Sequence, residues 1–315
     1  MSLNQAQSLN LLHPEEQTSS RLDERISVAL AAPVHPAVQA FAAHLAKDRG
    51  AMGVLFYGSN LRTGSLEGVL DYYILLPGTQ VDRIWPRVSY HEWTFEGEPL
   101  RAKVAEMALE TFASAARGER LDTTIWARFV QPSALIWQRD ESDRGEIAIA
   151  IASAAKTAAR LAVALGPESG TAQDYWRALF RATYSAEFRV EKTGREDSIL
   201  SFNEAHFDGL LLLALEAQGI EFRGNGEKIS PEMARPVRNE VLGWWRRCRR
   251  MGKPLNIVRL IKASATFEGA ARYAAWKIER HTGVPVEVTP WRERHPVLAA
   301  PAVLFSVWSA RRKAG

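Results

Sequence analysis

The sequence predicts an α+β fold, on three observations. Short apolar segments stopped by Gly or Pro fill the chain up to about residue 144. Longer Ala-, Leu- and Arg-rich segments of helical period fill it afterwards. No run of about 18 uninterrupted apolar residues appears in either half. Together they predict a mixed sheet with helices over 36–144, a mostly helical unit over 145–283 and a tail over 284–315. A polar, partly ordered extension precedes them over 1–35.

The elements follow in order. Residues 36–48 (PAVQAFAAHLAKD) repeat apolar positions at helical spacing and carry a proline where a helix start tolerates one. GVLFYGSN, from Gly53, reads as a buried strand ending in a Gly-Ser corner. A polar connection, LRTGSLEG, leads into VLDYYILLP, a second strand rich in aromatic and β-branched residues and stopped by Pro77. Residues 88–95 and 100–109 predict two more strands, and 122–137 carries another, broken at Pro132. The charged run QRDESDRGE (138–146) marks the change of pattern. Helices are then predicted over 146–165, 171–191, 202–218, 231–251 and 254–281.

Composition narrows the function classes. With 315 residues, 46% hydrophobic and 24% charged, the chain is foldable and neither disordered nor collagen-like. Its single cysteine, Cys248, excludes an intramolecular disulfide and a cysteine-based zinc site, which suits a reducing compartment. The formal charge of +4 is mild, so its distribution matters more than its sum. The first 25 residues carry Glu15, Glu16, Asp23 and Glu24 and no long apolar run, unlike a secretory signal or a transit peptide. The expected address is the cytoplasm.

FYGSNLRTGSLEGVLDYY holds the sharpest chemical signal. Gly58 permits a tight turn and close approach of backbone to a phosphate. Backbone N–H groups and the Ser59 hydroxyl can hold phosphate oxygens, and Arg62 and Ser65 can add contacts from the connection. Asp71, twelve positions after Ser59, would face the same phosphates from the neighbouring strand and could hold Mg²⁺ through oxygen. Strand, Gly-Ser corner, connection and strand-borne acid resemble the layout of DNA polymerase β-type nucleotidyltransferases. Most of that superfamily place a second acid two residues on, where this chain has Tyr73. A plain strand–turn–strand, with Asp71 in a hydrogen bond near the turn, accounts for the same residues.

Several blocks in order resemble the mitochondrial-type phosphatidate cytidylyltransferases, also called CDP-diacylglycerol synthases or translocator assembly and maintenance proteins. The FYGSN…LDYYILL segment is similar to that family's Tyr-Gly-Ser block and following strand. LRAKVA, with Lys103, resembles its Lys-Tyr-Gly block. IWARFVQPSALI resembles its Gly-Arg-hydrophobic-x-Lys-Pro block: Arg128 and Pro132 match, while Ala127 and Gln131 replace the glycine and lysine. WRALFRATYSAEFRVE is similar to a Ser-Tyr-x-Gly-Asp-Phe-Arg-Met block through Tyr184, Glu187, Phe188 and Arg189. RLIKASATFEGAARYAAWKI resembles the C-terminal block through Ser264, Gly269, Tyr273 and Lys277. The resemblance covers most of 53–281.

It implies a DNA polymerase β-like nucleotidyltransferase domain followed by a helical domain, acting as an Mg²⁺-dependent enzyme. CMP would pass from CTP to phosphatidate at a membrane surface. Asp71, Ser59 and Glu187 would be catalytic, with Asp71 and Glu187 holding the metal. Gly58, Ser59, Arg62, Ser65, Lys103, Arg128, Arg189 and Lys277 would hold nucleotide and phosphate. Glu106 and Asp122 are weaker candidates for the second acid. Glu187 also fits a helix-surface acid paired with Lys192 or Arg189. The same fold could serve a different acceptor, a protein, small molecule or RNA end. The missing second acid also fits a catalytically silent nucleotide- or membrane-binding protein.

Two segments suit an anionic membrane surface. WWRRCRRMGK (244–253) mixes tryptophan with cations, which also suits RNA phosphates, or a helix with Trp244 in the core and arginines in solvent. HPVLAAPAVLFSVWSARRK in the tail reads as an interfacial helix from near Pro301, or as an element docked on the core. No RNA-binding module surrounds either, so no nucleic acid partner is expected. The histidines lack metal-ligand spacing, and the oligomeric state is not legible. Cys248 lies among arginines that could lower its pKa, but no partner base accompanies it.

Overall fold

A computed structural model of the chain describes residues 14–186, 195–224, 227–266 and 269–314. The first described element is a helix, α1 (Pro14–Leu30), where the sequence predicts a polar extension. Leu22, Ile26 and Leu30 recur at spacing four and are buried in the core. The charged residues between them hide that stripe. Arg25 donates to the Ala205 carbonyl at 2.9 Å and Arg21 pairs with Glu216 at 3.1 Å.

After α2 (Pro36–Lys47) come β1 (Gly53–Tyr57), a one-turn helix α3 (Ser59–Thr63), β2 (Leu70–Leu76), β3 (Arg87–Phe95) and β4 (Glu98–Ala108). Then follow α4 (Leu109–Ala116), α5 (Thr124–Phe129), β5 (Ser133–Gln138) and α6 (Glu141–Leu165). The strands form one mixed sheet in the order β3-β4-β2-β1-β5. β1 is antiparallel to β2 and to β5, β2 is parallel to β4, and β3 is antiparallel to β4. The fold is α+β, as the sequence predicts.

Period-2 alternation divides the sheet side chains between two layers. Val54, Phe56, Tyr72, Ile74 and Val104 pack under α2 through Val38, Phe41 and Leu45. Leu55, Tyr73, Leu75 and Met107 face α4, α5 and α6 on the other side. That second core runs without a break from the strands into the later helices. Residues 124–129, part of the segment expected to hold a strand, form α5 instead. Ile125, Trp126 and Phe129 are buried together there, a spacing that suits one helical turn. The run 138–146 caps α6: Asp140 accepts from the Asp143 N–H at 2.8 Å, and Arg139 forks onto Asp143 at 2.8 and 2.9 Å. α6 is long and apolar enough to cross a membrane by length and composition, and 72% of its apolar window is buried inside the protein.

The rest is mostly helical: α7 (Ala172–Ala186), α8 (Arg195–Phe202), α9 (Glu204–Phe207), α10 (Leu210–Glu216), a small pair β6 (Phe222–Gly224) and β7 (Ile229–Pro231), and α11 (Arg235–Thr266). α12 (Ala270–Thr282), α13 (Pro290–Arg294) and α14 (Pro296–Ala314) complete it. The helix expected over 202–218 is interrupted at Gly209, and α11 runs through Pro254, where the sequence predicts a break. α14 starts at Pro296 and contains Pro301.

α11 is fastened to the sheet side at several points. Trp245 and Cys248 are buried, and Trp244 donates its indole N–H to the Gly118 carbonyl at 2.8 Å. The pull of Arg247 on the Cys248 thiol is downward, as the sequence suggests, but it is outweighed. Burial pushes the thiol up to about 11, with the Asp122 carboxylate adding to the shift. Further along, Arg259 forks onto both oxygens of Asp122 at 2.9 Å, donates to the Trp85 carbonyl at 2.8 Å and lies 5.0 Å from the Trp85 ring. Lys262 reaches the Ile84 carbonyl and pairs with Asp82 at 3.1 Å.

Candidate functional site

The site is built at the end of the sheet where β1 stops and β2 begins. Tyr57 is the register partner of Asp71 across the antiparallel pair. Gly58 follows with φ +89°, a region that favours glycine. Asp71 is also close enough that a Cβ at Gly58 would lie 3.0 Å from its Oδ2. The positive φ favours glycine there, and any larger residue would also crowd the Asp71 carboxylate.

Asp71 is also the register partner of Lys103 on the parallel neighbour β4. In-register partners point to the same side, so both side chains share the face of Tyr73 and Met107. Arg128 reaches this corner from the last turn of α5, its guanidinium 5.4 Å from the Tyr57 ring centroid. Lys277 comes from α12, which crosses β3 with Tyr273 5.4 Å from the Tyr90 ring. Its charge is felt at Lys103. Chain folding thus brings Gly58, Asp71, Lys103, Arg128 and Lys277 together.

Their electrostatics are strained in a consistent direction. Burial raises the Asp71 carboxyl above its ordinary value, and Lys103 and Arg128 only partly offset this. Lys103 is open to solvent yet walled by protein. That poor hydration lowers its ammonium, with Arg128 and Lys277 adding to the lowering and Asp71 opposing it. Burial drives Tyr57 up to about 12. Among the described residues no hydrogen bond or ion pair within 4 Å reaches the Asp71 carboxylate. Among the described residues, three cations and one carboxylate that no described side chain hydrogen-bonds meet at this corner, a charge pattern that attracts an anion.

Other candidate residues are placed differently. The Ser59 side chain is exposed, with its hydroxyl 3.4 Å from Asn60 Oδ1. The Ser65 hydroxyl accepts from the Glu67 N–H at 3.0 Å and so shapes the connection. Arg62 lies over the exposed Phe202 ring at 5.9 Å. Glu106 is not in the corner. Its register partner is Ile74, whose side chain packs under α2, so alternation puts Glu106 on the face opposite Asp71. There it pairs with Arg49 at 2.6 Å. Asp122 lies on no strand, and Arg259 occupies both its oxygens. Glu187 and Arg189 lie outside the described residues.

Tyr73, two residues after Asp71, is fully buried with its hydroxyl donating to the Met107 sulfur at 3.0 Å, so no second acid stands there. The described residues hold no cluster of three or more His, Cys, Asp or Glu that could bind a metal. The donor set fits a divalent cation that arrives with a polyphosphate, since Mg²⁺ is commonly held by one or two carboxylates plus substrate phosphates.

Sequence reasoning missed Asn60. It is buried and its amide donates to the Ser65 and Glu67 carbonyls, both at 2.8 Å, which folds the connection back on itself. An Asn directly after a Gly-Ser corner was the available signal. No protein-family model matches the chain, and no curated protein matches it.

Proposed function

We propose that the protein is a nucleotidyltransferase with a DNA polymerase β-like core that transfers CMP from CTP to phosphatidate. The observation that carries this reading is the Gly58–Asp71 corner facing Lys103, Arg128 and Lys277. The strand pattern supports it: an antiparallel β1–β2 pair with β4 parallel to β2 puts an acid and a cation side by side on neighbouring interior strands.

In this reaction a phosphate oxygen of the acceptor attacks the α-phosphorus of CTP. The bond from that phosphorus to the bridging oxygen breaks, and pyrophosphate leaves with the electron pair. The acceptor is already ionised near neutral pH, so no strong general base is needed. Lys103, Arg128 and Lys277 hold two anions against their mutual repulsion and stabilise charge on the leaving group. Gly58 lets the backbone approach the phosphates. Asp71 would hold a divalent cation together with the triphosphate, and that cation supplies further charge neutralisation when bound.

Contact with a lipid surface is supported by α14, where Leu298 is 69% and Phe305 67% exposed. The exposed arginines 246, 247, 249 and 250 of α11 add positive charge. This supports a peripheral, cytoplasmic-face location.

The test is purified protein with CTP, MgCl₂ and vesicles containing phosphatidate. The expected product is lipid-linked CMP with release of pyrophosphate, lost in Asp71→Asn. Equal yields from both proteins, or no product at all, overturn the reading. A second reading, nucleotide binding without transfer, is favoured by Asp71 being the single described carboxylate of the corner. Saturable CTP binding without product on any tested acceptor would select it.

A further inference from the structure

A second feature adjoins the corner. An open cleft of about 350 Å³ lies between the end of the 59–68 connection, the start of β4 and α12. Glu67, Gly68, Glu98, Arg101, Trp276 and Arg280 line it. We propose that this cleft receives the base and ribose of the nucleotide, an inference that rests on the nucleotidyl-transfer reading above.

Position is the first argument. Arg101 precedes Lys103 by two residues on β4, so both point to the same face, roughly 7 Å apart along the strand. A nucleoside joined to phosphates at Lys103 therefore reaches this cleft directly.

Charge is the second. Among the described residues the corner around Asp71 holds more cations than acids and suits phosphates. The cleft sets two carboxylates against two guanidiniums. A balanced set favours an uncharged ligand rich in hydrogen-bond donors and acceptors over another phosphate. A pyrimidine or purine with its ribose is such a ligand: guanidinium N–H groups meet ring carbonyls and nitrogens, and carboxylates meet exocyclic amines or ribose hydroxyls.

Geometry is the third. Arg101 and Arg280 lie over the Trp276 indole, with guanidinium carbons 5.6 and 5.4 Å from a ring centroid. Stacking holds both guanidiniums as flat surfaces, on which a base can lie. Among the described residues no ion pair within 4 Å engages Glu67, Glu98 or Arg280, and Arg101 meets only Glu92, at 3.6 Å. Gly68, with φ +87°, brings the connection so near Arg280 that a Cβ would lie 3.0 Å from Nη1. One wall of the cleft thus belongs to the same connection that begins at Ser59.

The experiment is calorimetry of CTP and of inorganic triphosphate, both with MgCl₂, on the full chain. Wild type is compared with Trp276→Leu, Arg280→Gln and Lys103→Met. Arg280 is exposed, so its substitution leaves folding intact even if Trp276→Leu does not. Both cleft variants are expected to weaken CTP by about tenfold and leave triphosphate unchanged, while Lys103→Met weakens both. Unchanged CTP binding in Arg280→Gln, or equal weakening of CTP and triphosphate, overturns the cleft assignment and leaves the corner standing. If Arg280→Gln binds CTP normally but raises KM for phosphatidate, the cleft belongs to the acceptor and the assignment falls. No binding of either ligand to wild type overturns both the cleft assignment and the transferase reading.

Discussion

Two carboxylates set apart two regions of the molecule. Asp122 is buried, and both of its oxygens are taken by Arg259 and by Thr124, whose N–H and hydroxyl lie 2.8–3.1 Å away. Asp71 is also largely covered, but no described side chain hydrogen-bonds it, and its nearest charges are Lys103 and Arg128. A buried charge that is fully forked and capped holds elements together. A charge left unsatisfied among cations stays available for a ligand. The first serves the fold and the second fits a site.

The sharpest way to break this comparison is Arg259→Leu. It should cost about 3–5 kcal/mol by leaving Asp122 charged and unpaired, read as a lower urea midpoint, while CMP transfer per folded molecule stays near wild type. A variant that stays stable but loses transfer would place Arg259 with the chemistry instead.

Next in size is Asp71→Asn. Transfer should fall by roughly 10²–10³. The melting temperature should rise, by about 2 °C or more, because an unsatisfied charge is removed. Loss of both activity and stability would show Asp71 to be structural, like Asp122.

The smallest effect lies in pH. The folded Asp71 carboxyl binds its proton more readily than the ordinary value of 3.8. Its contribution to stability is therefore favourable at low pH and is lost as pH rises from the unfolded value through the raised folded value. The stability gap between Asp71→Asn and wild type should widen as pH rises above the ordinary carboxyl value and level off once the raised folded value is passed. A gap that closes with rising pH would mean that Lys103 and Arg128 outweigh burial.

Legibility followed the range of the physics. The β1–β2 corner could be read because its signals are local: a glycine that the turn favours, period-2 alternation and a proline stop. α1 could not, because Leu22, Ile26 and Leu30 form a thin stripe among charged neighbours and declare themselves only against the core. Alternation already excludes Glu106 from the face of Asp71 once register is known, but register is a property of pairing, not of one strand. Arg259 as the partner of Asp122 lies too far along the chain for any spacing to announce it. Lys277 was picked out by block resemblance alone, and it is the crossing of α12 over β3 that brings its charge beside Lys103.

That crossing has a mechanical meaning. Lys103 sits in the sheet, whereas Lys277 rides on a helix that follows α11, itself pinned through Arg259 and Lys262. An anion gripping both lysines would act as a removable rivet between early and late parts of the chain. Occupancy should then slow amide exchange along the whole of α12.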